Sequence, residues 1–254
     1  MGTKVTPYTS ISEEAKKKQV ERMFDSIAPK YDFLNHFFSM GIDVLWRKKC
    51  IRILKKEALL PKTMLDMATG TADFAIEAVR MGLPSKVTAL DLSQGMLDVG
   101  IIKVAKKGLN DRITLIQGDS ENLPFKDESF DAYTVGFGVR NFENLDRGLS
   151  EMYRVLTPNS LTVILEFSKP KTFPIKQLFG FYFKYIMPTL GRLVSKDPAA
   201  YTYLPESVMA FPEGKDFLDR LSKAGFTDLR AIPLTGGIAS IYLGRKPRLT
   251  PTRG

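Results

Sequence analysis

Three short polar segments of the 254-residue chain each follow an apolar, strand-like segment. Gly70 and Thr71 follow the first strand candidate, Asp91 ends the second, and Asp119 and Ser120 follow the third. In open α/β sheets, ligands bind beyond the carboxyl ends of the strands, near the point where the strand order reverses. Carboxylates at that edge accept hydrogen bonds from sugar hydroxyls and from the amino group of a base. We therefore expect these residues to bind one nucleoside-like ligand.

The loop that contains Gly70 lacks the spaced glycines of a dinucleotide-binding fingerprint. Asp91 nevertheless stands 21 residues after Gly70, close to the spacing of about 20 at which an acidic residue reaches ribose hydroxyls. Each feature alone has an ordinary explanation: a tight turn at Gly70, a helix cap at Asp91 and a solvated acidic loop at Asp119. Together, at successive strand ends, they favour a nucleoside ligand that is not a dinucleotide.

Strand-like and helix-like segments alternate along the middle of the chain, which predicts parallel βαβ units. The predicted strands cover residues 63–68, 86–92, 113–117, 131–137 and 161–167, and the predicted helices cover 73–81, 94–107 and 145–156. A further helix over 214–224 and closing strands over 226–233 and 239–243 complete an α/β fold with a mostly parallel, seven-stranded sheet.

Two regions lie outside this alternation, and we interpret both as caps over the sheet. Residues 1–60 are predicted to form an N-terminal tail with a helical cap. Residues 173–211, rich in Phe, Tyr and Pro, are predicted to form a helical lid inserted into the main domain of residues 61–245. Residues 246–254 are basic and contain Pro and Gly, so we expect a disordered tail.

Composition excludes several classes of protein. A single cysteine, Cys50, rules out internal disulfides and predicts a cytoplasmic protein. We expect no signal peptide and no membrane-spanning helix, because charged residues and a proline interrupt the apolar stretch over 173–194. One cysteine and one histidine, His36, cannot supply a usual zinc site, so no metal is expected. We interpret His36 as a structural residue of an aromatic helix.

The net charge of +9 is compatible with nucleic acid, with an anionic membrane surface, or with a basic solvated exterior. A helix from Ile42 has an apolar stripe (Ile42, Leu45, Trp46, Cys50, Ile53 and Leu54) opposite a basic face (Arg47, Lys48, Arg52, Lys55 and Lys56). Such a helix suits peripheral contact with a membrane, and it suits packing on a protein core equally well. No basic module interleaved with aromatic residues indicates nucleic acid. A homodimer is left open.

Longer motifs resemble a known family, the C-methyltransferases of menaquinone and ubiquinone biosynthesis. The matching segments are Lys30–Asp32 with Asn35, Met40–Asp43 with Trp46–Arg47, the loop from Asp66, Asp91–Ser93 with Met96–Leu97, Leu123–Phe125, Phe137–Asn141, Met152–Leu156 with Pro158, and Glu166–Pro170. The match covers most of the chain, and the segments from Phe137, Met152 and Glu166 are the most specific. The resemblance implies a Rossmann-like class I methyltransferase, with helices on both faces of the sheet, that uses S-adenosylmethionine.

The resemblance also implies which residues contact the cofactor: Thr71, Asp91, Asp119 and Ser120. Gly70 is expected to let the backbone approach it closely. Two positions depart from the family pattern. Ala72 stands where the family usually has glycine, which crowds the cofactor loop, and Gly136 stands where some relatives carry serine, which removes one contact.

The reaction implied by the resemblance is transfer of the sulfonium methyl group to a ring carbon of a polyprenylated quinol, with demethylmenaquinol as the first expectation. A 2-methoxy-6-polyprenyl-1,4-benzoquinol and another small acceptor are the alternatives within enzymes. From a different class, a noncatalytic basic protein that associates with membranes or nucleic acid would explain the charge. It would leave the three polar loops unexplained.

A ring carbon becomes a good nucleophile when the neighbouring hydroxyl is ionised, which costs about 4 kcal/mol at neutral pH for a phenol-like pKa. A fixed cation lowers such a pKa by roughly 1 to 3 units. Arg140, just past the fourth strand, is the candidate cation, and Asn141 and Tyr31 are candidates to hydrogen-bond the same oxygen. The aromatic residues of the lid are expected to cover the polyprenyl tail, or to pack on the sheet, or both.

Overall fold

A seven-stranded sheet forms the centre of the computed structural model, which describes residues 5–8, 15–39, 41–58, 61–83, 86–186, 189 and 199–248. The strands are β1 (Thr63–Met67), β2 (Lys86–Asp91), β3 (Ile113–Gln117), β4 (Phe130–Gly136), β5 (Leu156–Phe167), β6 (Thr227–Leu234) and β7 (Ala239–Arg245). They lie in the order β3, β2, β1, β4, β5, β7, β6, and β7 is antiparallel to both of its neighbours whereas the other pairs are parallel. The predicted mostly parallel sheet is confirmed.

Helices connect and flank the strands. The α-helices are α1 (Lys16–Ile27), α2 (Tyr31–Ser39), α3 (Ile42–Glu57), α4 (Asp73–Arg80), α5 (Gln94–Lys106), α6 (Leu145–Val155), α7 (Ile175–Phe181), α8 (Ala199–Ala210) and α9 (Lys215–Lys223). Short 3₁₀ turns cover Ala28–Lys30, Val139–Asn141 and Thr235–Gly237, and a π-helical turn, Tyr182–Ile186, continues α7.

Helices pack on both faces of the sheet, because successive residues of a strand point to opposite sides. On β1, Met64 belongs to one buried cluster together with Cys50 of α3, whereas Leu65 belongs to another together with Leu149 of α6 and Phe217 of α9. This three-layer arrangement is the Rossmann-like fold that the motifs imply.

α3 packs on the protein core, one of the two alternatives that the sequence leaves open for this helix. Cys50 and Ile51 are completely buried against the sheet, so this helix of the predicted N-terminal cap is one of the helices that cover the sheet. The predicted stripe and basic face are inexact. Leu45 is 60% exposed, and the Arg47 side chain is 11% exposed because Asp43, one turn earlier, pairs with its guanidinium.

The N-terminal cap and the lid meet above the sheet. Val20 and Met23 of α1 pack with Ala200 and Tyr203 of α8 in a small buried cluster, and α1 also lies against α5. This packing places one face of α1 over the carboxyl ends of the strands.

Two chain segments are more ordered than the sequence predicts. β5 begins at Leu156 rather than at residue 161, because Leu156 pairs with Phe130 of β4 before a register shift. Lys246, assigned to the disordered tail, is buried and donates from its Nζ to the Leu156 carbonyl at 2.7 Å. Residues 249–254 lie outside the described residues.

Candidate active site

A cleft opens at the carboxyl ends of β1, β2 and β4, with a free volume of about 700 Å³ that includes its mouth. The strand order reverses between β1 and β4, so the cleft lies where a ligand is expected in this class of sheet. The predicted site residues that line it are Tyr31, Gly70, Asp91, Asp119, Ser120 and Asn141. Loops that are far apart in the sequence therefore meet around one cleft.

Asp91 occupies the end of β2 with its carboxylate held by backbone amides. Its two oxygens accept hydrogen bonds from the Gly70 amide at 2.7 Å and from the Ser93 amide at 2.9 Å. Burial raises the pKa of Asp91, although these backbone hydrogen bonds oppose the rise. The carboxylate thus links the loop after β1 to the loop after β2 and faces the cleft between them.

Asp119 lies across the cleft under α1. Its carboxylate accepts a hydrogen bond from the Glu121 amide at 2.9 Å and forms an ion pair with Lys17 of α1. Asp25, near the other end of α1, accepts from the Ser93 hydroxyl at 2.6 Å and from the Gly95 amide at 2.9 Å. Both ends of α1 are therefore fixed by polar contacts to the loops that form the cleft.

In the loop after β1, Gly70 borders the cleft and a smaller cavity behind the loop, whereas Thr71 borders the smaller cavity alone. Gly70 has a φ of 57°, and Thr71 is buried. The Thr71 hydroxyl donates to Asp32 and accepts from the Lys103 ammonium at 3.0 Å. Ala72 follows with a φ of 67°, a left-handed conformation that glycine adopts without steric cost.

Tyr31 and Asn141 approach the cleft from opposite sides. Tyr31 begins α2 and lines both the cleft and the smaller cavity. Desolvation raises the pKa of its phenol, so it stays protonated at neutral pH and can donate a hydrogen bond. Asn141 accepts at its Oδ1 from the Tyr203 hydroxyl of α8 at 3.1 Å. The lid therefore fixes the orientation of Asn141.

Arg140 lies next to the cleft but is not part of its lining. Its Nη1 donates to Glu166 Oε1 at 2.8 Å and to the Phe137 carbonyl, and its Nε donates to the Ser207 hydroxyl of α8 at 3.3 Å. Burial raises the pKa of Glu166, and the charge of Arg140 opposes that rise. Within the described part of the chain, Nη2 of Arg140 has no hydrogen-bond partner.

Gly136, which also departs from the family pattern, is explained by its neighbour. A Cβ atom at this position would lie 3.0 Å from Cδ2 of Phe74 in α4. The Phe74 ring thus occupies the space into which a larger residue at 136 would extend.

Sequence reasoning missed the contribution of the N-terminal helices to the cleft. Lys17, Val20 and Phe24 of α1 line it, and Arg47 of α3 lines the smaller cavity. The amphipathic pattern of α1 is the one available signal, but it does not indicate which loops the helix covers. The side chain of His36 lies outside the described residues. Over the described ranges, no group of three or more potential metal ligands is present.

Asp66, near the end of β1, makes the stability of the folded protein depend on pH. It is completely buried, accepts from the Thr134 hydroxyl at 2.7 Å, and has a pKa raised by burial from 3.8 to about 6. Because the folded pKa exceeds the unfolded one, its contribution to stability is full below about pH 4 and is lost as the pH rises through about 6. Two units correspond to about 3 kcal/mol.

Asp66→Asn removes this titration. We expect the unfolding free energy of the variant, relative to the parent, to increase by about 3 kcal/mol between pH 4 and pH 7. Urea denaturation at a series of pH values measures this difference, and Asp131→Asn on the neighbouring strand is a matched control. A difference between Asp66→Asn and the parent that does not vary with pH would contradict the prediction.

Comparison with known proteins agrees with this geometry. The chain is 48% identical over 243 residues to a demethylmenaquinone methyltransferase of Bacteroides fragilis, with 96% of this chain and 98% of the relative covered. It is 42% identical to a ubiquinone/menaquinone biosynthesis C-methyltransferase of Geotalea daltonii, with 91% and 97% covered. None of the described helices is long and apolar enough to span a bilayer.

Solved structures share the fold at low sequence identity. The chain is similar to a SAM-dependent methyltransferase from Aquifex aeolicus, with a TM-score of 0.56, 20% identity and coverage of 77% of this chain and 88% of that one. It is also similar to the cyclase SpnF, with a TM-score of 0.66, 16% identity and coverage of 98% and 99%. The model of the ubiE/COQ5 methyltransferase family matches residues 12–246. The chain is therefore an S-adenosylmethionine-dependent methyltransferase and belongs to the ubiE/COQ5 methyltransferase family.

Proposed function

We propose that this protein methylates a ring carbon of a polyprenylated quinol, with demethylmenaquinol as substrate and menaquinol as product. The observation that carries the proposal is the single cleft that brings Asp91 and Asp119 together with Tyr31 and Asn141. The name of the 48% identical relative, demethylmenaquinone methyltransferase, favours a naphthoquinol over a benzoquinol.

The chemistry of the cleft fits S-adenosylmethionine. Asp91 is placed to accept from the ribose hydroxyls, because its carboxylate lies between the loops after β1 and β2. Asp119 and Ser120 supply acceptors for the adenine amino group on the far side of the cleft. Gly70 has no Cβ to separate the loop from the ligand. When bound, the cofactor supplies an electrophilic methyl group on a sulfonium.

The protein must stabilise the ionised quinol beside that methyl group. Asn141 and Tyr31 hydrogen-bond the quinol oxygen, since both line the cleft and both carry donors. Arg140 acts through the charge of its guanidinium, which lies next to the cleft without lining it. The negative charge of Glu166, 2.8 Å from Arg140, offsets part of this effect. Alignment of ring carbon, methyl and sulfur supplies much of the remaining acceleration.

The test of this function is a transfer assay. The protein is incubated with methyl-labelled S-adenosylmethionine and a panel of reduced acceptors: a demethylated naphthoquinol, a 2-methoxy-benzoquinol and a simple phenol. We expect label in the naphthoquinol. Label in the benzoquinol alone would reassign the substrate, and label in no quinol would overturn the proposal.

We further propose that the enzyme contacts an anionic membrane on the cytoplasmic side, where its polyprenylated substrate resides. Support comes from the lid around α7: Phe173, just before the helix, is 81% exposed, and Leu178, Phe181 and Tyr185 in the helix and the turn after it are also exposed. The first helix of the lid, α7, therefore has no buried residue and exposes apolar side chains, which suit contact with the apolar part of a bilayer. Lys171 stands beside them and suits anionic headgroups.

Replacing Phe173, Leu178 and Phe181 together with serine is expected to reduce vesicle binding about tenfold or more, because apolar side chains that enter the acyl region are lost. Co-sedimentation with vesicles of phosphatidylcholine and phosphatidylglycerol measures the change. All three residues are exposed, so the fold should persist. A matched control exchanges Lys49, Arg52 and Lys56 on the exposed face of α3 for glutamine. A larger loss in that control would assign membrane contact to α3 instead.

A further inference from the structure

A second cavity lies directly behind the loop after β1 and adjoins the cleft. Its free volume, which includes its mouth, is about 420 Å³, and Tyr31, Gly70 and Gly136 belong to the walls of both spaces. The two spaces therefore meet at Gly70, next to the position proposed for a ligand whose ribose contacts Asp91. Other parts of the wall come from β1 and the loop after it, from α2, from Arg47 of α3 and from the first turn of α4.

Charges of both signs face this second cavity. Arg47 lines it, and its Nη2 lies 2.6 Å from Asp43 Oδ2 and 3.6 Å from Asp73 Oδ2. Asp66 and Asp73 line the same space as carboxylates. A cavity with one guanidinium and two carboxylates suits a zwitterion. The α-carboxylate of such a ligand pairs with the guanidinium, and its α-ammonium pairs with the carboxylates.

Protein contacts fix the position of the Arg47 side chain but do not occupy all of its hydrogen-bond donors. Asp43 accepts from Arg47 and is itself fixed by the Ser39 hydroxyl at 2.6 Å. The 3.6 Å separation from Asp73 is longer than a hydrogen bond. Asp73 is also paired, through its Oδ1, with Lys103 of α5. The guanidinium has five N–H donors, so further donors remain for a ligand.

We propose that Arg47 binds the α-carboxylate of the cofactor's aminoacyl group in this second cavity. The inference rests on the assignment of S-adenosylmethionine as cofactor and goes beyond the quinol chemistry. The ammonium of the same group lies toward Asp66 and Asp73, and the nucleoside remains in the cleft at Asp91. Arg47 is thus a cofactor-binding residue, although its place in the sequence suggests a solvated helix face.

Isothermal calorimetry with two ligands tests this assignment. S-adenosylhomocysteine carries the aminoacyl group, and 5′-methylthioadenosine has the same nucleoside without it. We expect Arg47→Gln to weaken the binding of S-adenosylhomocysteine about 10- to 150-fold, which is typical of one charge-assisted contact, and to change the binding of methylthioadenosine less than about twofold. Lys48→Gln is the matched control, since Lys48 is the neighbouring cation, 37% exposed and 3.9 Å from Glu77. It should bind both ligands as the parent does.

Arg47→Lys keeps the positive charge and should recover part of the affinity for S-adenosylhomocysteine, and it is the second variant if Arg47→Gln does not fold. Equal losses for both ligands, or parent-like binding of S-adenosylhomocysteine, would overturn the assignment. These outcomes are independent of the acceptor. A protein that binds S-adenosylhomocysteine through Arg47 but methylates no quinol would overturn the proposed function and leave this inference standing.

Discussion

A double substitution, Arg140→Met with Glu166→Gln, is expected to slow methyl transfer to the quinol by roughly 10- to 1000-fold at neutral pH. The reason is electrostatic: a nearby fixed cation lowers the pKa of the quinol hydroxyl by roughly 1 to 3 units, and each unit is tenfold in the ionised fraction. We expect the lower half of that range, because Glu166 lies 2.8 Å from Arg140 and offsets part of its charge. Single-turnover transfer under anaerobic conditions measures the chemical step.

The double substitution is chosen because of the burial of the pair. Glu166 is completely buried, so removing Arg140 alone would leave an unpaired carboxylate in the interior, a change that typically costs about 3 to 5 kcal/mol of stability. Glu166→Gln alone is the matched control: it keeps the cation and removes its counter-charge, so the rate should not fall. Cofactor affinity should be unchanged in both proteins, since neither residue lines the cleft.

Two further outcomes separate this mechanism from a purely structural role. Raising the pH should recover part of the rate of the double variant, because hydroxide then supplies the ionised quinol that the cation no longer favours. The oxidised quinone should be inert with every protein, since it has no ionisable hydroxyl and its ring is electron-poor. A normal rate and pH profile in the double variant would remove Arg140 from the mechanism, and turnover of the quinone would overturn the quinolate mechanism itself.

The strands and their ligand-bearing loops could be predicted because short-range patterns specify them. The segment 113–117 is predicted as a strand and is β3, and the polar residues after β1, β2 and β3 meet because parallel strands end at one edge. The central strands β1, β4 and β5 are mostly buried on both faces, so apolar residues occupy consecutive positions in them, as is typical of a parallel sheet.

The place of Arg47 beside the second cavity could not be predicted, because it depends on how α3 packs against α4. The helical pattern assigns it to a basic, solvated face, yet Asp73 of α4 and Asp43 stabilise the guanidinium beside a cavity. Lys17 is a similar case, since its partner Asp119 is 102 residues away. Local spacing indicates which residues share a helix face but not what that face contacts.

The first helix of the lid, α7, is a different case, because its aromatic residues suit either packing on the sheet or contact with a polyprenyl tail. A segment as rich in aromatic residues as α7 is typical of a helix that packs on a core, but no residue of α7 is buried. Large contiguous apolar surfaces on soluble domains usually mark an interaction site. The sequence therefore shows that α7 carries apolar side chains, and we propose that a lipid membrane covers them.

Asp91→Ala is expected to weaken the binding of S-adenosylmethionine by about 10- to 150-fold, which corresponds to one charge-assisted contact of about 1.5 to 3 kcal/mol. The carboxylate also accepts from the Gly70 and Ser93 amides, at 2.7 and 2.9 Å, so its removal releases the two loops that form the cleft. Both effects favour the upper part of the range.

Asp91→Asn distinguishes the two effects, because the amide keeps one acceptor for the loops while losing the charge. Its affinity should fall between those of the parent and Asp91→Ala. The pH dependence gives a second, independent test. Burial raises the pKa of Asp91, so affinity in the parent should decline with falling pH earlier than an ordinary aspartate would allow. That decline should be smaller in Asp91→Asn, which has no carboxyl to protonate at position 91. Calorimetry with S-adenosylhomocysteine across a pH series measures both effects, with circular dichroism to establish that the variants fold. Parent-like affinity in a folded Asp91→Ala protein would exclude the ribose contact and with it the placement of the nucleoside in the cleft.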